Sequence, residues 1–384
     1  MVTYPNDWDE SKLLDHVSLV QGLTYTPENV KPTGTLVLRS SNIQNGRLSL
    51  DDNVYVNAHV PEEKIVAKGD ILVCVRNGSS ALIGKSCVLP ELKCTTFGAF
   101  MSVLRGDATG YFAKLFESNI VQEQVRGRSN ATINQITKKD FQSILVTVPD
   151  KPEQEEIART LSQFDSYIDD LAELIEKKKS IREGAIIDLI SEHTRLEGFD
   201  KPWKESTLGT EFDVIMGSSP NSASYNSSRI GVPLVQGNAD IENRITSPKR
   251  YTSMPTKICE IGDTILTVRA PVGSVSRATQ KVCLGRGVCA ISGRHKDFIY
   301  YLMCYNESAW ESVEQGSTFT AVSGKEVRDF EIRIPEGEEQ DAIASILTAM
   351  DEEIRNLETE REKMIQIREG AMDDLLTGRV RLTK

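Results

Sequence analysis

The chain has 384 residues, 39% of them hydrophobic and 26% charged, with a net charge of −11. That length is enough for two or three domains with real cores. No apolar run approaches the ~20 residues needed to cross a bilayer, and the Met1–Asp7 start lacks the basic-then-apolar pattern of a signal peptide, so the composition predicts a soluble cytoplasmic protein.

Residues 1–150 read as a strand-rich domain. Gly69-Asp70 is followed by Ile71-Leu72-Val73-Cys74-Val75-Arg76, a turn and then a β-rich run. Residues 151–198 read as a long helix. Apolar side chains at Ile157, Leu161, Phe164, Ile168, Leu171 and Ile175 step by 4, 3, 4, 3 and 4, a heptad seam. The helix opens near Pro149 and Pro152 with acidic residues in its first turn, which suits the helix dipole, and runs to about Glu192. Residues 199–335 form a second strand-rich segment. It shares landmarks with the first: Trp203-Lys204-Glu205-Ser206 resembles Trp8-Asp9-Glu10-Ser11, and Gly262-Asp263 again precedes a β-rich run ending at Arg269. Residues 336–384 read as a second helix, opening after Pro335 and running to about Thr377, with Ile343, Leu347, Met350, Ile354 and Leu357 in the same phase.

The two helical segments are copies. Gln154–Ile190 aligns without a gap on Gln340–Leu376, with 16 identities in 37 positions at an offset of 186. Two copies exclude a solenoid and suggest a pseudo-two-fold molecule. Each helix is about 60 Å long at ~1.5 Å per residue. Neither narrow seam packs alone, so the seams are expected to bury each other, and the symmetry implies an antiparallel pair. Gly184 and Gly370 recur inside the helices, where glycine costs up to ~1 kcal/mol; their recurrence suggests close backbone approach or a kink.

Net acidity does not exclude nucleic acid. Residues 1–150 carry 15 basic and 16 acidic side chains and residues 200–335 carry 16 and 15, whereas the helical segments carry 7 and 12, then 7 and 13. The acidity sits on the helices, and a local basic groove on a neutral domain can engage phosphates.

Motifs of catalysis fail on inspection. Gly84-Lys85-Ser86 lacks the glycine five residues earlier that a phosphate loop needs, since Ser79 stands there, so a hairpin turn is expected. Pro149-Asp150 with Glu176-Lys177-Lys178 imitates a nuclease pattern, but Glu176 lies roughly 35–40 Å up a straight helix. The four histidines His16, His59, His193 and His295 are scattered, and the seven cysteines have no Cys-x-x-Cys spacing, so no metal site is indicated and reduced buried thiols are expected. The pattern is that of a binding protein, not an enzyme.

The chain ends Leu375-Leu376-Thr377-Gly378-Arg379-Val380-Arg381-Leu382. Val148-Pro149 and Ile334-Pro335 precede Glu153-Gln154 and Glu338-Glu339-Gln340 at the two helix starts. On these motifs, and on its alternation of variable domains with repeated helices, the whole chain resembles the DNA-specificity subunit of type I restriction–modification systems. In the first half the ending reads Asp188-Leu189-Ile190-Ser191-Glu192, so the Thr-Gly-Arg piece occurs once. The resemblance implies an α+β protein of two target-recognition domains, 1–150 and 199–335, separated by conserved helical spacers, 151–198 and 336–384, packed as an antiparallel coiled coil. It implies double-stranded DNA as ligand, each domain reading half of a split asymmetric sequence. It further implies two methyltransferase subunits and two motor–nuclease subunits as partners, which would hold S-adenosylmethionine, ATP and magnesium. A two-fold coiled-coil scaffold that binds proteins and not DNA is the competing reading.

DNA contacts are expected from polar loops of the neutral domains. In the first these are Arg39, Ser40, Ser41 and Asn42; Arg76, Asn77, Ser79, Ser80 and Lys85; and Arg126, Arg128, Ser129 and Asn130. In the second they are Gln236, Gly237 and Asn238; Arg269 and Ser274; and Gln315, Ser317, Thr318 and Thr320. Arginine and the amides supply bidentate base contacts, while serine, threonine and lysine bind mostly phosphate. Arg182 and Arg368, in the repeated Ile-Arg-Glu-Gly-Ala block, are expected to be exposed and to bind the methyltransferase subunits.

Overall fold

The computed structural model describes residues 4–128, 134–310 and 321–382. Its contacts divide the chain into two compact units, 1–171 with 360–384 and 172–359. Each unit therefore joins one strand-rich domain to a stretch of both long helices.

The first unit uses strands β1 (Asp9–Lys12), β2 (Ser18–Gln21), β3 (Thr35–Leu38), β4 (Ile71–Cys74), β5 (Ser86–Val88), β6 (Thr95–Phe97), β7 (Met101–Arg105) and β8 (Leu145–Val148), and the leading part of helix α1 (Lys151–Ile190). β2, β7, β4 and β5 form an antiparallel sheet in that order. β6 lies parallel beside β3 in a second sheet, and β1 pairs with β8 at the foot of the helix. All four residues of β4 are buried, which explains why Ile71–Cys74 is a continuous apolar run instead of an alternating one. The Gly84-Lys85-Ser86 stretch leads into β5 as part of a hairpin connection, as its sequence requires.

The second unit repeats this frame with β9 (Lys204–Thr207), β10 (Asp213–Met216), β11 (Val232–Val235), β12 (Thr264–Thr267), β13 (Val275–Arg277), β14 (Val282–Leu284), β15 (Val288–Ser292) and β16 (Glu331–Ile334). β10, β15, β12 and β13 are neighbours in that order, β11 and β14 pair in parallel, and β9 pairs with β16. Helix α2 (Gly337–Leu376) follows. Both long helices have 40 residues, close to the expected spans.

One buried aspartate pins each frame just before its central strand. Asp70 accepts from the Ala67 N–H at 2.8 Å and from Arg105 Nε at 2.9 Å and Nη2 at 2.7 Å. Asp263 accepts from the Glu260 N–H, the Ser292 hydroxyl and Lys296 Nζ, each at 2.8 Å. The shared Gly-Asp landmark is thus a structural anchor: the glycine turns at positive φ (87° and 84°) and the aspartate holds the turn to the sheet.

The helix stretches within each unit run antiparallel. In the first, Glu153 meets Arg381, Asp165 meets Arg368 and Tyr167 meets Glu360. In the second, Lys178 meets Glu353, Arg182 meets Asp351 and Arg195 meets Glu339. Four of these contacts form two pairs of copies at the repeat offset. Arg182–Asp351 and Arg368–Asp165 exchange roles, at 2.8 and 2.9 Å. So do Arg195–Glu339 and Arg381–Glu153, both bidentate, with distances of 2.7 to 3.0 Å. Each helix start repeats as well: Gln154 donates to the Pro149 carbonyl at 2.8 Å and Gln340 to the Pro335 carbonyl at 2.9 Å. The apolar side is shared in the same manner. Ile157, Leu161 and Phe164 join the core that contains Leu375 and Leu376, and Ile343, Leu347 and Met350 join the core that contains Leu189 and Ile190.

Two expectations about this block are corrected. Arg182 and Arg368 are not exposed: only 14% and 18% of their side chains reach solvent, because each turns toward an aspartate of the other helix stretch. Arg368 also donates to Glu117 at 2.9 Å. Asp165 titrates below its ordinary value of 3.8: burial pushes it up, but Lys114 and Arg368 more than offset that. Gly184 and Gly370 show no close backbone approach; a Cβ at either would meet nothing within 4 Å. Gly184→Ala and Gly370→Ala should therefore each stabilise the isolated chain by up to ~1 kcal/mol through helix propensity and the unfolded state. A rise in the urea midpoint with unchanged slope is the expected result; a fall would mean the backbone there needs its freedom.

Candidate nucleic-acid interface

In both domains, loops at strand ends bring polar side chains together. In the first, the turn after β3 carries Ser40, the end of β4 carries Arg76 and Asn77, and Lys85 precedes β5. Asn77 Nδ2 donates to Ser40 Oγ at 3.1 Å, and Lys85 Nζ reaches the Ser40 carbonyl at 3.5 Å. Ser79 and Ser80 are exposed on the same connection, and the Ser79 N–H donates to Asn77 Oδ1 at 3.0 Å. The Arg76 guanidinium lies 5.2 Å from the centroid of the Phe100 ring, in cation–π range.

Asn42 is a correction. It is fully buried, and its amide is engaged inside its own loop: Nδ2 donates to the Ser49 and Asp52 carbonyls at 3.0 and 3.1 Å, and Oδ1 accepts from the Arg39 N–H at 2.9 Å. A side chain without surface cannot touch DNA, so Asn42 shapes the loop that presents Ser40 and half-buried Ser41. Arg39 is held by Asp52 at 2.7 Å. Arg126 and Arg128 lie on the helix Asn119–Arg128. Arg126 is exposed, whereas the Arg128 guanidinium donates to the Ser143 hydroxyl and carbonyl at 2.7 and 2.9 Å and to the Gln124 carbonyl at 3.0 Å, which ties it to its own domain. Ser129, Asn130, Gln315, Ser317, Thr318 and Thr320 lie outside the described residues.

In the second domain Gln236, Gly237, Asn238 and Arg269 line one recess of about 500 Å³, together with Tyr225 and Arg286. Among the described residues no carboxylate lines it, and two of its lining side chains are arginines, with Asp240 close behind Gln236. Gln236 Nε2 reaches the Tyr225 hydroxyl at 3.4 Å, and the Gln236 N–H donates to Asp240 Oδ2 at 2.8 Å, the counterpart of the Arg39–Asn42 bond. Arg76 and Arg269 hold the same place in the two frames, each in an isolated antiparallel bridge, to Gln135 and Ala321 respectively. Ser274 does not line the recess. Its N–H donates to Thr267 Oγ1 at 2.9 Å, which makes it part of the β12–β13 turn. Sequence reasoning missed Phe100 and Arg286. Both sit on the short connection after β6 or β14, and the signal was a glycine shared by the two connections, Gly98 and Gly285.

Elsewhere, burial pushes the thiols of Cys87, Cys259 and Cys289 up to about 12, which leaves them protonated and inert. Among the described residues no group of histidine, cysteine and carboxylates could hold a metal ion, and no helix is long and apolar enough to cross a membrane.

The family model described as "Type I restriction modification DNA specificity domain" matches the chain twice, over residues 5–181 and 200–366. A Methanocaldococcus jannaschii protein named for the specificity subunit of the type I restriction enzyme MjaX is 29% identical, over 98% of this chain and 95% of that one. Two solved structures share the fold. One, from work on complex assembly and conformational transition of the type I R-M system, has a TM-score of 0.62 at 22% identity and covers 98% of this chain and 100% of that one. The other is the type I restriction–modification S subunit from M. genitalium, with a TM-score of 0.61 at 18% identity over 97% of each chain.

Proposed function

Because this chain belongs to the type I restriction modification DNA specificity family, we propose that each of its strand-rich domains reads one half of a bipartite, asymmetric DNA site. The observation that carries this reading is one frame used twice with different residues at its loop ends: Ser40, Arg76, Asn77 and Lys85 in one, Gln236, Asn238, Arg269 and Arg286 in the other. Unlike surfaces on like scaffolds read unlike half-sites. Arg76, Asn77, Gln236, Asn238 and Arg269 supply base contacts, and the hydroxyls and Lys85 hold phosphates.

Residues 1–150 and 199–335 are the recognition domains. Segments 151–198 and 336–384 form an antiparallel coiled coil with pseudo-two-fold symmetry that sets the gap between half-sites. The chain is non-catalytic and works in the cytoplasm, where two methyltransferase subunits dock on the helices and two motor–nuclease subunits join them. S-adenosylmethionine, ATP and magnesium are theirs. With Arg182 and Arg368 turned inward, docking on the repeated block falls to its outward side, where Ile181 and Ile367 are 48% and 52% exposed at equivalent positions.

The test is to map methylated adenines in cells that express the chain with its methyltransferase partner. The expected motif has two unlike halves separated by a fixed gap. Inserting one heptad into each helix adds about 10 Å and should widen that gap by about three base pairs at ~3.4 Å each. A single continuous motif, or a gap unmoved by the insertions, rules the reading out.

A further inference from the structure

We propose that Arg286 reads guanine in the second half-site, a step that rests on the recognition role above. The residue sits on the connection Gly285-Arg286-Gly287 between β14 and β15, and that connection is clamped. A Cβ on Gly287 would lie 2.1 Å from the Gln236 carbonyl oxygen, and one on Gly285 would lie 3.0 Å from Gln236 Cα. From the other side, a Cβ on Gly217 would lie 2.0 Å from the Gly285 oxygen. Backbone bonds complete the fixation: the Gly285 N–H donates to the Val235 carbonyl at 2.7 Å and the Val268 N–H to the Gly287 carbonyl at 2.9 Å. Three glycines have let backbone approach backbone, and the one side chain the connection carries is an exposed arginine.

That arginine lines the recess beside Gln236, Asn238 and Arg269, and it has no ion pair among the described residues. An exposed arginine on a fixed backbone, in a recess that no carboxylate lines among the described residues, is placed to meet a planar acceptor pair. The O6 and N7 edge of guanine in the major groove offers such a pair, and arginine matches it with two parallel N–H donors. The fixed backbone gives the side chain one defined origin, and the experiment below separates a base contact from a phosphate contact.

The first domain supplies the contrast. Its connection Gly98-Ala99-Phe100 has the same clamp, since a Cβ on Gly22 would lie 2.0 Å from the Gly98 oxygen, and the Val75 N–H donates to the Phe100 carbonyl at 3.0 Å. There alanine takes the place of Arg286, and the next residue is Phe100, 58% exposed beneath Arg76. The same structural step is cationic in one domain and apolar in the other, so guanine preference at this step belongs to the second half-site alone.

The experiment compares the methylated motifs of the wild-type complex, Arg286→Ala and Arg286→Lys, each with its methyltransferase partner. The wild type should require guanine at one position of one half. Arg286→Ala should relax that position by about ten- to hundredfold and leave the other half unchanged. Arg286→Lys keeps the charge without the fork and should not restore the preference. An unchanged motif in Arg286→Ala overturns the assignment, as does equal loss on all sequences, which marks a phosphate contact; full rescue by lysine overturns the two-pronged geometry. A wild-type complex with no bipartite motif sinks the recognition reading itself, an outcome distinct from these.

Discussion

Arg381→Ala should lower the stability of the first unit by about 3 kcal/mol, read as a drop in the urea midpoint. Glu153 keeps only 2% of its side chain in solvent and is clasped by two of the Arg381 nitrogens, Nε and Nη2. Removing the cation leaves a buried carboxylate whose remaining side-chain donor is Trp8 Nε1, at 3.3 Å. Breaking a fully buried pair from one side costs about 3–5 kcal/mol. The low end applies because 29% of the Arg381 side chain is in water. The companion change Glu153→Gln should recover part of the loss in the double variant, since no bare charge then remains. Arg195→Ala should produce the same effect in the second unit through Glu339. Stability untouched by Arg381→Ala would mean that water already solvates Glu153.

Asp70→Ala should cost as much or more, about 3–5 kcal/mol. The carboxylate is 2% exposed, and its loss leaves Arg105 without its only anion among the described residues and the Ala67 N–H without its acceptor. Arg105 also holds the Glu63 and Ile65 carbonyls, so the segment leading to β4 loosens with it. Because β4 leads into the loop that carries Arg76 and Asn77, loosening this segment should disturb that loop as well. Thermal unfolding of Asp70→Ala beside Asp263→Ala measures the two anchors separately; wild-type transitions in both would disprove the anchoring role.

The architecture was legible because its causes are periodic. Heptad spacing marked both helices, the flanking prolines placed their starts within a few residues, and the Gly-Asp landmarks marked the central strands. The loops were not legible in the same way. Ser40, Asn77 and Lys85 come from three separate strand ends, and nothing local in sequence says that they meet. Asn42 looked like Ser40 in composition, yet a tight turn buried it. Arg182 and Arg368 were read as surface charges, although the repeat already carried their partners: Asp165 and Asp351 are identical positions at the same offset. The repeat also reaches further: Arg195-Leu196 and Arg381-Leu382 lie up to six residues beyond Ile190 and Leu376 at the same offset, and those arginines close the two clasps.

The first unit is completed by residues 360–384, yet everything else in it lies before residue 172. A ribosome adding about 5–20 residues per second takes roughly 10–40 s to make the intervening stretch. Throughout that interval Glu153 and Asp165 have no Arg381 or Arg368 to meet, and the apolar row at Ile157 and Leu161 has no Leu375 or Leu376 to cover it. The nascent chain therefore carries that apolar row uncovered until residues 360–384 follow it.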